Sequence, residues 1–317
     1  MSSVTTVQPV AGGAHPGTTR LGPRGRSKPG PHRRRGWNPA RIGVYAFLLM
    51  GALFFLVPLY VMLVTSLKSM DEIRDSSIFA LPMMPTIEPW VTAWSSACTG
   101  LECNGVQSGF WNSVRIVIPS TILSILVGAI NGYALSLWRP RYANVLFAVL
   151  MIGVFVPAQV IIFPMVKLMS FIGLFGSLPA LVLVHTIFGM PIMTLLFRNY
   201  YSSIPLELFR AARIDGGGFW RIFWHVMLPL STPMLIVATI MQVTGIWNDY
   251  LMGLIFGGSD ISPMTVQLNN IVNSTFGERA YNVNMAATLL TSAVPLLIYL
   301  VSGRWFVRGI ASGAVKG

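Results

Sequence analysis

Hydrophobic residues make up 54% of this 317-residue chain and charged residues only 10%, which excludes the profile of an ordinary soluble domain. The formal charge of +12 would suit a nucleic-acid-binding protein if the basic residues covered one surface. They are instead gathered in short segments between long apolar runs, a distribution typical of membrane topology and not of nucleic-acid binding.

Residues 1–41 hold eight basic residues and no acid, among many glycines, prolines and hydroxyl residues. Low hydrophobicity with high net charge predicts a disordered tail. A secretory signal peptide is the competing interpretation, but the apolar stretch that follows is too long and lacks an evident cleavage site. We therefore predict a basic cytoplasmic tail that stays attached and could touch anionic membrane lipid, followed by one transmembrane domain over 42–317.

Six apolar stretches are long enough to cross a bilayer, which takes about 20 residues each. The sequence therefore predicts an all-α membrane protein with six transmembrane helices. Gly128 and Gly132 form a small-xxx-small pair, for which we expect close packing inside the bundle and not dimerisation. The predicted spans are 43–66, 112–137, 143–163, 177–197, 230–256 and 284–303.

The basic residues indicate the orientation of these spans. With the tail inside, 17 of the 22 Lys and Arg residues fall on the cytoplasmic side. The positive-inside rule therefore places both termini in the cytoplasm, in agreement with an even number of spans.

Cys98 and Cys103 lie five residues apart in the first outer loop. They form either a local disulfide or two free thiols. We expect no metal here, because no histidine is near and two thiolates leave a zinc site half built.

Motifs of enzyme chemistry are missing from the sequence. None of the four lysines completes a Gly-Lys-Ser/Thr phosphate loop, and neither a His-Glu-x-x-His helix nor a Gly-x-Ser-x-Gly elbow occurs. We therefore predict a protein that is not an enzyme and binds no cofactor itself. Any nucleotide energy must come from a partner.

The segment 198–229 is the longest predicted cytoplasmic loop between spans. Ser202 or Ser203 is placed to cap a short helix near Pro205, which the glycines 216–218 would end. This helix is predicted to be amphipathic, with one face formed by Pro205, Leu208, Phe209 and Ala212. A second helix follows, with an apolar face of Phe219, Ile222, Phe223 and Val226.

Three motifs in this loop carry a family resemblance. They are Ile204-Pro205-x-Glu207-Leu208, Ala211-Ala212-x-x-Asp215-Gly216 and Leu228-Pro229-Leu230-x-x-Pro233. This pattern resembles the EAA loop of ABC importer permeases. The resemblance extends over nearly all of residues 43–317. The chain most resembles the carbohydrate-uptake permeases of the maltose type, and within that group it is similar to glucose/mannose permeases.

The resemblance implies a type I ABC importer permease in a bacterial inner membrane. Its partners would be an ABC ATPase dimer that uses ATP and Mg, a second permease subunit and an extracytoplasmic sugar-binding protein. The loop would be the coupling element, and Arg210 departs from the glutamate usual in the family. Arg210 would then pair with Glu207, pair with an acid of the ATPase, or be only a membrane-surface charge. The coupling residues carried over are Glu207, Arg210, Ala211, Ala212, Asp215 and Gly216.

Polar and aromatic side chains in the fifth span form a candidate substrate pathway: Gln242, Trp247, Asn248 and Asp249. Intramembrane ionisable residues mark functional sites by default, and aromatic rings beside amides and carboxylates suit sugars. The alternative is a set of structural contacts near the membrane interface.

Other classes of function fit the sequence less well than a sugar importer does. A proton-coupled secondary transporter would need carboxylate or histidine relays at mid-membrane, and the sequence offers one acid within a span. A polytopic membrane enzyme would need a catalytic cluster, which is not visible. An ABC permease for a non-sugar solute is a further alternative.

Overall fold

The computed structural model describes residues 39–99, 102–273 and 279–314. Residues 1–38 of the predicted tail 1–41 lie outside the described residues. The last three tail residues, 39–41, belong to the first helix, α1. The described residues contain no strand. In chain order the α-helices are α1 (Pro39–Ser66), α2 (Met70–Asp75), α3 (Glu88–Ser95), α4 (Gln107–Tyr133), α5 (Ala143–Phe155), α6 (Ala158–Phe171), α7 (Leu178–Ser203), α8 (Leu206–Ile214), α9 (Phe219–Ile222), α10 (Leu228–Leu230), α11 (Thr232–Trp247), α12 (Leu251–Phe256), α13 (Met264–Val272) and α14 (Tyr281–Ala314).

Helices of membrane-spanning length account for most of the described chain. Four are long and apolar enough to cross a bilayer alone, and two bent helix pairs raise the number to six if each pair is one span. The all-α membrane fold predicted from the sequence is thus confirmed. The four are Arg41–Ser66, Gln107–Trp138, Leu178–Ser203 and Tyr281–Gly303, and the bent pairs are Ala143–Phe155 with Ala158–Phe171 and Phe219–Leu230 with Thr232–Trp247.

The third span differs from the predicted helix 143–163, because the chain bends by 105° between α5 and α6. Pro157 lies at the bend, after an extended Val156 with ψ of 123°. Proline removes a backbone donor and drives the preceding residue out of the helical region, so α5 ends there. The predicted span 230–256 is also interrupted, since α11 ends at Trp247 and α12 begins at Leu251.

Helices α4 and α7 pack side by side along the centre of the fold. A Cβ added at Gly132 would lie 2.6 Å from the backbone nitrogen of Arg198, and one added at Gly128 would collide with Met193. The two glycines therefore permit a close helix approach inside one chain, as predicted. Aromatic side chains beneath them, including Phe197 and Tyr133, are fully buried.

Polar side chains hold α13 against the start of α4. The Gly109 amide donates to Gln267 Oε1 at 2.7 Å, and Gln267 Nε2 donates to Ser108 Oγ at 2.8 Å. The Met264 amide donates to Ser113 Oγ at 2.9 Å. These bonds satisfy backbone groups at a helix start, which has no intrahelical partners for them.

The structure joins Cys98 and Cys103 in a disulfide, the first of the two states that the sequence left open. The neighbouring Thr99 carbonyl accepts a hydrogen bond from Asn270 Nδ2 at 3.0 Å. The loop before α4 is therefore tied to α13.

The chain divides into two units within α1, residues 1–54 and 55–317. In the first unit, the described side chains from 41 to 50 and from 52 to 54 are exposed, and most of them are apolar. A helix that is apolar all round is typical of a membrane span that meets lipid or another chain.

Candidate functional site

The predicted coupling loop 198–229 is built from short helices. Helix α7 continues to Ser203, two extended residues follow, and α8 begins at Leu206. The predicted cap by Ser202 or Ser203 is wrong: these hydroxyls donate back to the carbonyls of Arg198 and Tyr200, at 2.8 and 2.7 Å. Their hydroxyls are thereby satisfied within α7 and do not cap α8.

Helix α8 lies on the surface, and none of its residues is fully buried. Phe209 and Ala212 are half-buried, whereas the predicted apolar Leu208 stays exposed. The attached face is therefore narrower than predicted. Of the six predicted coupling residues, Ala212 faces the protein, and Glu207, Arg210, Ala211, Asp215 and Gly216 are exposed.

An aromatic cluster, defined here as Tyr133, Trp138, Phe209, Phe219 and Phe223, joins α8 to the bundle. The Tyr133 ring lies at its centre, 4.8 Å from Phe219 and 6.4 Å from Phe209 between ring centroids. The Tyr133 hydroxyl also donates to the Phe219 carbonyl at 3.3 Å. Because Tyr133 ends α4, this cluster connects α8 to the long helix that packs against α7.

Arg213 forms a contact that the sequence reasoning missed. Its guanidinium lies 4.4 Å from the centroid of the Trp138 ring, a geometry suited to a cation–π interaction. Trp138 belongs to a π-helical turn over Ala134–Trp138 that extends α4. The one signal in the sequence is a tryptophan directly after the predicted span 112–137.

Glycines shape the turn between α8 and α9. Gly216 has a φ of +77°, which favours glycine, and no atom lies near its missing side chain. Gly217 is more crowded: an added Cβ would lie 2.6 Å from the Ala212 carbonyl oxygen and 2.7 Å from Ile222 Cγ1. The turn therefore requires glycine twice, for conformation at 216 and for space at 217.

Arg210 is exposed and makes no ion pair with Glu207. In the described part of the chain, Arg74 pairs with Asp71 at 3.6 Å, and His185 Nε2 lies 3.9 Å from Asp249 Oδ2. The first of the three alternatives for Arg210, pairing within its own helix, is therefore not formed in this structure.

Gln242 and Trp247, two of the predicted pathway residues, are buried and hydrogen-bonded within the chain. Gln242 Nε2 donates to Ser124 Oγ at 2.9 Å, and Trp247 Nε1 donates to the Thr291 carbonyl at 3.0 Å. Trp247 also meets the Phe110 ring edge-on at 5.7 Å. These contacts connect α11 to α4 and α14.

Asp249 lies in the break between α11 and α12, and not inside a continuous span. Its Oδ2 accepts the amides of Met252 and Gly253 at 3.0 and 3.1 Å, and lies 3.9 Å from His185 Nε2. It therefore satisfies the amides at the start of α12. Asn248, beside it, is exposed. The described residues contain no group of three or more His, Cys, Asp and Glu side chains that could hold a metal ion.

Comparisons with known proteins bear on this arrangement. A family model described as the inner membrane component of binding-protein-dependent transport systems matches residues 120–312, more than half of the chain and including the whole 198–229 loop. The chain belongs to this family. It is a multi-pass transport subunit, an ABC importer permease.

Similar permeases occur in bacteria and archaea. A probable ABC transporter permease of Pyrococcus horikoshii is 36% identical over 88% of this chain and 98% of its own length. The alpha-glucoside transport system permease of Rhizobium meliloti is 32% identical over 80% of this chain and 67% of its own. The xylose/arabinose import permease of Haloferax volcanii is 32% identical over 87% of this chain and 94% of its own length.

Solved structures share the fold of the permease. A chain from a bacterial ABC transporter involved in the import of alginate aligns with a TM-score of 0.73 at 20% identity, covering 85% of this chain and 98% of that one. A chain of the MetNI methionine ABC transporter aligns with a TM-score of 0.52 at 19% identity, and the alignment covers 64% of this chain and 95% of that one. The type I importer architecture expected from the sequence is thus confirmed.

Proposed function

We propose that this permease imports sugars, driven by ATP hydrolysis on a partner ATPase dimer. The sugar assignment is supported by relatives named for alpha-glucoside and xylose/arabinose transport, which align with most of this chain. Glucose or mannose as the particular sugar stays a prediction. The partner ATPase would bind ATP and Mg, and both termini of the permease would lie in the cytoplasm.

Energy would enter through α8. The single observation that carries this proposal is that α8 is exposed on one side and anchored on the other by the aromatic cluster. An exposed short helix offers a surface to a cleft in a partner, while the anchored side passes its displacement to α4. Glu207, Arg210, Ala211 and Asp215 form the exposed side, and Ala212 and Gly216 shape the anchored side and its end.

Arg210 would act between subunits. Because it is exposed and unpaired with Glu207, its guanidinium is free to meet a carboxylate of a matched ATPase. Such a charge-assisted hydrogen bond is stronger than a neutral one and gives partner specificity. We therefore propose that the Arg210 position selects the cognate ATPase.

The substrate pathway would pass Asn248. Gln242, Trp247 and Asp249 make contacts that hold α11 and α12 in place, and Asn248 keeps its amide exposed. We propose that Asn248 contacts the sugar and that the other three shape the pathway around it. A second permease subunit and an extracytoplasmic sugar-binding protein would complete the route.

Uptake by proteoliposomes tests the function. The permease, reconstituted with the ATPase and second permease that co-purify with it and supplied with its binding protein, is expected to import a labelled alpha-glucoside, pentose or hexose only when ATP is enclosed with the ATPase. A protonophore should have no effect. Uptake without ATP that collapses with the proton gradient would indicate a secondary transporter, and ATP-driven uptake of another solute alone would refute the sugar assignment.

A further inference from the structure

A cavity of about 410 Å³ lies where α4 and α7 end and α5 begins. Three arginines line it, Arg139 and Arg141 from the connection before α5 and Arg198 from α7. Arg139 and Arg141 lie two residues apart, and the fold brings Arg198 of α7 to the same cavity. The cavity does not belong to the coupling surface of α8 or to the substrate pathway.

In the part of the chain that the structure describes, no acidic side chain pairs with the three arginines of this arginine cavity. The sequence contains no Asp or Glu between residues 103 and 206, and none lines the cavity. Arg139 Nε donates to the Ser136 carbonyl at 3.0 Å, and the Arg198 guanidinium lies 3.9 Å from the Phe147 ring centroid. These contacts orient two guanidiniums without neutralising them.

The donor set matches a phosphate group. Guanidinium groups bind phosphate oxygens through paired, charge-assisted hydrogen bonds, and three of them line this one cavity. The first residues of α5, Ala143 and Asn144, also line the cavity. The Ala143 amide already donates to the Pro140 carbonyl at 2.8 Å, so the proposed site depends on the arginine donors.

The surroundings favour a lipid over a soluble phosphate. An apolar stripe runs along α5 away from the cavity: Val145, Val149 and Ile152 are spaced by four and three residues, and each is at least 60% exposed. Val145 also lines the cavity, so the stripe begins at its rim. Acyl chains could lie along this stripe while the phosphate stays among the arginines.

We propose that the arginine cavity binds the phosphate group of an anionic membrane phospholipid. Basic pockets between transmembrane helices are a recognised way of holding such headgroups. The site would hold the ends of α4, α5 and α7 together next to the aromatic cluster that anchors α8. It goes beyond the transport function proposed above, and its binding test does not depend on which solute is carried.

Native mass spectrometry of the full-length permease, in the assembly with which it co-purifies, tests the site. Phosphatidylglycerol, diacylglycerol with the same acyl chains and inorganic phosphate are each titrated against wild type, the Arg139→Gln/Arg141→Gln variant and Arg115→Gln. Arg115 is a matched control, since it is an exposed arginine at the other end of α4. We expect about tenfold weaker phosphatidylglycerol binding per arginine removed from the cavity, and no loss in the control.

The outcomes separate the sources of phosphate. Weak binding of diacylglycerol, and no displacement of the lipid by millimolar inorganic phosphate, would support the proposal. Equal binding of phosphatidylglycerol by the double variant and wild type would overturn it, as would full displacement by inorganic phosphate.

A second measurement on the wild type avoids any folding defect of the variants. A phosphatidylglycerol analogue with a photoreactive headgroup is expected to label residues within 136–145 or 198–202. Labelling confined to other segments would overturn the proposal as well.

Discussion

Single residues in the turn after α8 decide how that helix is held. A side chain at Gly217 would displace the Ala212 carbonyl or Ile222, whereas Gly218 has no atom within 4 Å of an added Cβ and a negative φ. We expect Gly217→Val to reduce sugar uptake more than tenfold at an unchanged membrane level, because overpacking shifts α8. Gly218→Ala is the control. Equal uptake by the two variants would contradict the role of the turn.

Gly216 is sensitive for a different reason, its left-handed conformation. A bulky substitution there costs about 1–2 kcal/mol through backbone strain. We expect Gly216→Val to abolish uptake while the protein remains in the membrane. Normal uptake with normal ATPase association would contradict the coupling assignment.

The Arg213–Trp138 contact should hold α8 against the bundle. A cation–π contact at a partly exposed site is worth about 1 kcal/mol, which corresponds to roughly a fivefold change in local opening. In hydrogen–deuterium exchange, Arg213→Gln should speed the exchange of amides in 206–214 by about that factor. Arg210→Gln, on the same helix but without such a contact, should not. Equal exchange in the two variants would argue against this anchor.

At the scale of helices, the α4–α7 interface depends on the absence of side chains. We expect Gly132→Leu to destabilise the permease by about 1–3 kcal/mol through overpacking against Arg198 and Phe197, seen as a lower midpoint of thermal unfolding. Gly153→Leu on α5 is the matched control, since no atom lies within 4 Å of its added Cβ. Equal midpoints of thermal unfolding for the two variants would mean that the close approach of α4 and α7 does not contribute to the stability of the permease.

Hydropathy predicted where the helices lie better than where they bend. The sequence located the stretches that form α1, α4 and α7, because long apolar runs carry a strong signal, although α4 begins five residues earlier and α7 ends six residues later than the predicted spans. The 105° bend at Pro157 was not predicted, since apolar residues continue through it and proline is tolerated in many membrane helices.

The candidate sites were predictable to different degrees. The loop motifs identified the segment around α8, because residue types and spacing mark it. The roles of Gln242 and Trp247 could not be read from sequence, since both of their partners lie more than 40 residues away. Asp249 seemed part of a span because nothing in its neighbours indicates the helix break that it caps. The contact of Arg213 with Trp138 depends on a turn 75 positions earlier in the chain and has no local signature.

For the whole molecule, the orientation in the membrane remains a prediction with a direct test. Most Lys and Arg residues fall in the segments that the sequence prediction assigns to the cytoplasm, and an even number of crossings returns the chain to the side where it started. Reporters fused separately to the two termini should both be active only in the cytoplasm. A C-terminal fusion active only on the outer face would contradict this topology.

The central claim is that ATP-derived energy enters this ABC permease through α8 and the aromatic cluster. The most direct measurement compares sugar uptake and ATP hydrolysis in the same proteoliposomes for Phe209→Ala and for Phe171→Ala, an 89% exposed phenylalanine at the end of α6 and outside the coupling loop. The account predicts that the uptake per ATP hydrolysed falls more than tenfold in Phe209→Ala, while Phe171→Ala keeps the wild-type ratio. Unchanged uptake per ATP in Phe209→Ala, in an assembly that still binds its ATPase, would contradict it.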